Sequence, residues 1–166
     1  MALRERIVIR RQFLQIIAWI GVLGTPLLAG GVAADPRPAA SIPARALIQP
    51  AELAAALRGA TAAKTLILQV GFRSLYDQAH IPGAEFAGPA SDGQGLRALR
   101  ERVAKLPKDV AIVIYCGCCP WSRCPNIADA FDALKSSGFT HVKVLYIENN
   151  FGADWVDKGY PSGKTL

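Results

Sequence analysis

The chain reads as an α/β domain in three layers, a central and mainly parallel sheet flanked by helices, and three observations predict it. Short β-branched apolar runs alternate with amphipathic stretches of helical period along most of the chain after residue 50. The runs are apolar on both faces rather than alternating, which is the pattern of strands covered on two sides. Glycine and proline punctuate the junctions, leaving connections long enough for crossover helices.

Taken in order, residues 50–57 predict a helix, with Pro50 suited to its first turn and Gly59 to its stop. Residues 65–70 predict a short buried strand, and residues 74–79 a helical turn. Residues 96–106 predict a charged amphipathic helix carrying Leu96, Leu99, Val103 and Leu106 on one face. A strand at 110–115 leads into a loop, followed by a helix at 125–137 with Ile127, Ala130, Phe131 and Leu134 at helical spacing and Gly138 ending it. A strand at 142–147 and a short helix at 152–158 close the domain.

The first 34 residues do not belong to that plan. Arg4, Arg6, Arg10 and Arg11 precede a stretch from Gln12 to Ala34 with no charged side chain, and Val32, Ala33 and Ala34 supply small residues before Asp35. A basic region, an apolar region and a small-residue site together predict an export signal, and Arg10-Arg11-Gln12-Phe13-Leu14 resembles a twin-arginine signal. The expected location is the periplasm, with membrane attachment only if the signal is retained as an anchor. Residues 35–43, rich in proline and alanine, read as a linker, and residues 44–166 as the domain.

The formal charge is +6, but removing residues 1–34 takes away four arginines and one glutamate and leaves +3. No basic cluster with interleaved aromatic residues remains, so nucleic-acid binding has no support.

Chemistry concentrates in one place. The chain has four cysteines, Cys116, Cys118, Cys119 and Cys124, and all fall within nine residues. Disulfides gain most by closing long loops, so four sulfurs in one loop read as a site and not as a framework. Cys116 ends a β-branched run, where a strand delivers it to the C-terminal edge of a parallel sheet facing a helix start. Backbone N–H groups there favour a thiolate. Gly117 permits a sharp turn beside that sulfur, and Arg123 is the one cation in the loop, a candidate for orienting an anionic substrate. Cys118, Cys119 and Cys124 are candidates for resolving a sulfur adduct on Cys116 or for forming a disulfide. The spacing C-x-C-C-x4-C lacks paired C-x-x-C knuckles, so no metal and no cofactor is expected. Arg123 lies seven residues after Cys116 and five after Cys118, and neither gives the C-x5-R loop of a cysteine-dependent phosphatase. His80 and His141 read as scaffold and surface residues respectively.

Three stretches together resemble the rhodanese-like sulfurtransferase family. Residues 76–84, Y-D-Q-A-H-I-P-G-A, resemble the family's Y-x-x-G-H-I-P-G-A, with Ala79 at the first glycine. Val113-Ile114-Tyr115-Cys116 resembles the strand that delivers the catalytic cysteine. Leu134 to Phe139, Val144 to Trp155 and Gly159-Tyr160-Pro161 resemble the family's closing motifs. Gln69 and Gly71 stand where the family often has an acidic and a basic residue, and the active loop is longer than usual, with three further sulfurs.

The resemblance implies a parallel α/β fold and sulfur transfer through a persulfide on Cys116. The expected partners are a small sulfur-containing anion such as thiosulfate as donor, and cyanide, a thiol or a partner-protein thiol as acceptor. Two alternatives stay open: a thiol-disulfide redox protein using Cys116 and Cys118, and a metal- or sulfur-binding module using all four cysteines.

Overall fold

The computed structural model describes residues 41–59 and 65–165. The expected export signal at 1–34 and most of the linker lie outside the described residues. Ile42 already packs into the core, two residues before the expected start of the domain. Among the described residues, no helix is long and apolar enough to cross a membrane.

Five parallel strands form one sheet: β1 (Leu47–Ile48), β2 (Thr65–Gln69), β3 (Glu85–Phe86), β4 (Ala111–Tyr115) and β5 (Val142–Leu145). The order is β1-β5-β4-β2-β3, which sets β4 in the middle. It pairs with β2 from Thr65↔Ala111 to Gln69↔Tyr115 and with β5 from Ile112↔Val142 to Ile114↔Val144. The helices are α1 (Pro50–Ala56), α2 (Arg73–Gln78), α3 (Gly93–Val103) and α4 (Pro125–Ser136), and a π-helical turn spans Gly152–Val156.

The two-residue period of β4 divides its side chains between two cores. Ile112, Ile114 and Cys116 face one side, where Leu99 and Val103 of α3 and Ile127, Ala130 and Leu134 of α4 cover them. Val113 and Tyr115 face the other, against Leu53 and Ala54 of α1, Ile81, Phe151 and Trp155. Each core residue here removes a side chain from water on one face of a sheet that has no solvated side, which explains the unbroken apolar runs.

Local signals place the helix ends. Asp92 caps α3, its Oδ1 accepting from the backbone N–H groups of Gln94 at 2.8 Å and Gly95 at 2.7 Å. The helix therefore starts three residues before the expected residue 96; the two glycines of its first turn, poor helix formers, mask the start in the sequence. Pro125 occupies the first turn of α4, and Gly138 follows its end with φ +88°. The strand expected at 142–147 stops at Leu145: its pairing with β4 ends at Ile114↔Val144, and Tyr146 N makes one last bond to β1, at Ile48 O, 2.9 Å away. The closing helix is a π-helical turn with Trp155 fully buried, its Nε1 donating to Pro161 O at 2.9 Å and its ring against Phe151 and Tyr160.

The motif at residues 76–84 is scaffold. The His80 ring stacks on Tyr76 at 4.2 Å, its Nδ1 lies 2.8 Å from Tyr76 O, and its backbone pairs with Gly163. Tyr76 donates its hydroxyl to Ala84 O at 2.7 Å. His141 is exposed, as expected of a residue at a strand start.

Gly95 sits where α3 crosses the chain entering it. A Cβ there would lie 2.2 Å from Pro89 O, a backbone atom. Alanine normally favours a helix over glycine, yet overpacking wins at this contact. Gly95→Ala should lower stability by about 1–3 kcal/mol in urea denaturation, whereas a gain would show that the crossing can open freely.

Candidate active site

The last residues of β4 set the geometry of the cysteine loop. Strand alternation turns Cys116 toward α4, and Gly117 then takes φ +76°. A Cβ on Gly117 would lie 2.6 Å from Phe151 Cβ, so both the backbone conformation and the close approach require glycine. Phe151 N donates to Gly117 O at 3.1 Å, and Trp121 N donates to Glu148 O at 2.9 Å. Two backbone bonds thus tie the cysteine loop to the segment after β5. Trp121 adds a ring contact with Tyr146 at 5.1 Å.

Three of the four sulfurs converge. The Sγ atoms of Cys116, Cys118 and Cys124 all lie within 4.8 Å of one another. Cys116 donates to Cys118 at 3.2 Å, and none of the four cysteines is in a disulfide. Cys116 and Cys124 are each 2% exposed, and Cys118 is half-buried. Cys119 belongs to the edge of the group: its Sγ is 3.2 Å from that of Cys118 but donates to Arg123 O at 3.7 Å.

Asn126, in the first turn of α4, supports the group from behind. It is 1% exposed, and its Nδ2 donates to Cys116 at 3.5 Å and Cys118 at 3.7 Å, while its Oδ1 accepts from Ser91 N at 3.0 Å. The opposite wall is Gly71, where a Cβ would lie 2.7 Å from Cys116 Sγ and 3.0 Å from Gln69 Nε2. A side chain at this position would occupy the space the sulfur needs. Gln69 is itself buried and accepts from Gly71 N at 3.2 Å through its Oε1.

Neither Asn126 nor Gln69 is among the sequence-derived site residues. A signal for Gln69 is present, since it is the one amide in a run otherwise built for a dry core. Asn126 has none in the sequence, because its approach to Cys116 depends on how the intervening loop folds back.

The cluster holds charge unevenly. Cys118 is pulled far below the usual thiol range, first by the hydrogen bond from Cys116 and then by that from Cys124, against the cost of burial; Cys119 and Asn126 add smaller contributions. Cys116 is pushed up to about 12, chiefly because it donates to Cys118, with burial adding to the shift and contacts from Cys124 and the Cys118 backbone opposing it. Cys124 is pushed up by its hydrogen bonds to Cys116 and Cys118, and Cys119 by burial and by Cys118. The negative charge thus rests on Cys118. The strand-end thiolate expected on Cys116 is thus coupled to its neighbour Cys118, to which Cys116 is hydrogen-bonded at 3.2 Å.

Cys116 opens onto a cleft of about 400 Å³ beyond the C-terminal ends of the strands. Gln69, Gln78 and Asn150 are among its polar lining residues and Leu75, Phe151 and Val156 among its apolar ones, and no aspartate, glutamate, lysine, arginine or histidine lines it. Cys118 and Gly117 line it with Cys116, whereas Arg123 does not. Arg123 ends the 3₁₀ turn Trp121–Arg123 and is exposed.

A family model for the rhodanese-like domain matches residues 49–147, and the chain belongs to that family. No curated protein matches it. The crystal structure of the Alr3790 protein from Anabaena sp. is similar, with 25% identity and a TM-score of 0.55 over 72% of this chain and 93% of that one. The BH2092 protein from Bacillus halodurans has 20% identity and a TM-score of 0.55, over 72% of this chain and 77% of its own. A full-length protein from Lactobacillus plantarum has 20% identity and a TM-score of 0.53, over 74% and 89% respectively. The last two share the fold. Membership fits sulfurtransferase chemistry in general terms.

Replacing Asn126 with leucine keeps the branched shape and heavy-atom count but strips the Ser91 N–H and both sulfurs of their amide partner. Asn126→Leu should cost about 1–3 kcal/mol in denaturant unfolding, and an unchanged midpoint would show that the buried amide has no structural part.

Proposed function

We propose that the protein moves sulfane sulfur through a persulfide on Cys116. The observation that carries this reading is a strand-end cysteine lining an open cleft with a second sulfur, Cys118, 3.2 Å away. Cys116 and Cys118 share one proton across that contact and titrate as a pair, and the form with the proton on Cys118 leaves the thiolate on Cys116. Cys116 then attacks the outer sulfur of a donor such as thiosulfate: the new bond is Cys116 S–S, the donor's S–S bond breaks, and sulfite leaves with the electron pair. Cyanide, a small thiol or a partner-protein thiol takes the sulfur and returns the cysteine. The amides of Gln69, Gln78 and Asn150 line the donor's path; Arg123 could reach a donor only from outside the cleft. The basic and apolar leader supports the periplasm as the place where this happens.

The Cys116–Cys118 distance also favours a second outcome. The Cys118 sulfur attacks the inner sulfur of the persulfide, forms a Cys116–Cys118 disulfide and releases the carried sulfur as hydrogen sulfide. The same pair can then serve as a thiol-disulfide couple once an external thiol reduces it.

Intact-mass measurement after thiosulfate treatment of the reduced protein tests the reading. The wild-type chain should gain one sulfur atom and Cys116→Ser none. Uptake that persists in Cys116→Ser but vanishes in Cys118→Ser would transfer the nucleophile to Cys118.

Two further variants separate the roles. Cys118→Ser should accumulate the persulfide, because its internal release route is gone; a disulfide mass in wild-type protein without prior sulfur loading would favour the redox couple instead. Gly71→Ala displaces Cys116 Sγ from its position, and a misplacement approaching an ångström should slow sulfur uptake about 100-fold in single-turnover assays.

A further inference from the structure

Three convergent sulfurs are more than a persulfide carrier uses. Sulfur transfer needs Cys116, and internal release needs Cys118. Neither step accounts for Cys124, which is 2% exposed at the head of α4 and turns its sulfur into the same group. We propose that Cys116, Cys118 and Cys124 form a three-coordinate binding site for a soft monovalent metal ion, copper(I).

The spacing fits such an ion. Metal–sulfur bonds of about 2.3 Å in a trigonal plane set the sulfurs about 4 Å apart. The three Sγ atoms already lie within 4.8 Å of one another, so closing on an ion takes small side-chain rotations and no movement of the backbone. Thiolate ligands select soft ions, and copper(I) is satisfied by three of them. Zinc in a closed site takes four ligands. The remaining sulfur is poorly placed to be the fourth. Cys119 adjoins Cys118 in the chain and turns its sulfur to Arg123 O, on the outer side of the loop.

The surroundings suit the charge and the chemistry. Three thiolates and one copper(I) carry two net negative charges, and no cationic side chain shares the cleft. A neutral donor meets that charge: Asn126 Nδ2 points at the sulfurs of Cys116 and Cys118. The start of α4 adds the positive end of its dipole. Cys116 and Cys124 belong to the same buried apolar cluster as Val70, Leu99 and Ile127, while Cys116 and Cys118 face the cleft through which an ion can enter. On binding, sulfur–hydrogen bonds break, three copper–sulfur bonds form, the protons leave to solvent, and no electron changes hands.

The site stands whether or not Cys116 carries sulfur, so its test contains no sulfur donor. Full-length reduced protein is titrated anaerobically with copper(I) against a chromogenic copper(I) chelator. One ion per chain should bind. X-ray absorption of the wild-type complex should give three sulfur neighbours at about 2.3 Å, a readout that needs no variant. Cys124→Ser and Cys124→Ala should each weaken binding by more than about 100-fold, beyond what losing an outer-shell partner costs. Cys119→Ser should bind as the wild type does. Two sulfur neighbours, full affinity in both Cys124 variants, equal loss in Cys119→Ser, or preference for zinc with four sulfurs would each overturn the assignment.

Discussion

The hydrogen-bonded position of β4 between β2 and β5 is the constraint on which the rest depends. A strand paired on both sides cannot shift along its axis without breaking two ladders at once. Its last residue is therefore fixed in depth and in facing. Because side chains alternate, the same register that buries Ile112 and Ile114 under α3 and α4 also sends Cys116 to that side. It sends Tyr115 to the other, where its hydroxyl accepts from Ile81 N at 3.1 Å. A slip of one residue would exchange the cysteine for the tyrosine and dismantle both cores. The position of the reactive sulfur is thus a property of the sheet more than of the loop.

The loop contributes something different, the sharing of a charge among neighbouring sulfurs. A single buried thiolate is costly, and a low-dielectric interior makes its hydrogen bonds correspondingly strong. Cys118 collects donors from Cys116, Cys124 and Asn126, and so holds the charge that an isolated sulfur at this depth would refuse. Cys116 remains a thiol whose proton has a nearby destination. The family resemblance points to one nucleophile; the physical unit is a group in which the proton and the charge can change places.

Much of this was legible in the chain and some was not. Unbroken apolar runs and helical spacing mark β2, β4, α1 and α4 to within a residue at each end and β5 to within two, since burial on both faces leaves a strong pattern. The two-residue strands β1 and β3 left none, because so short a ladder needs no pattern of its own. Cys116 was readable as the strand-end sulfur. Arg123 is a candidate substrate contact by its nearness in sequence, yet it stands exposed on the turn Trp121–Arg123 and does not line the cleft. The loop's path decides which groups face inward, and nothing local encodes that path. Asn126 is the converse case, ten residues from Cys116 and in contact with it.

The two backbone bonds that join the cysteine loop to the segment after β5 make those loops one mechanical part. Gly117 abuts Phe151 without room for a methyl group, and Trp121 is held by the carbonyl of Glu148. For anyone grafting this sulfur cluster onto another parallel sheet, the transplantable unit is therefore a pair of segments, residues 116–126 together with 146–155. A host given only the first would receive four cysteines without the clamp that arranges them.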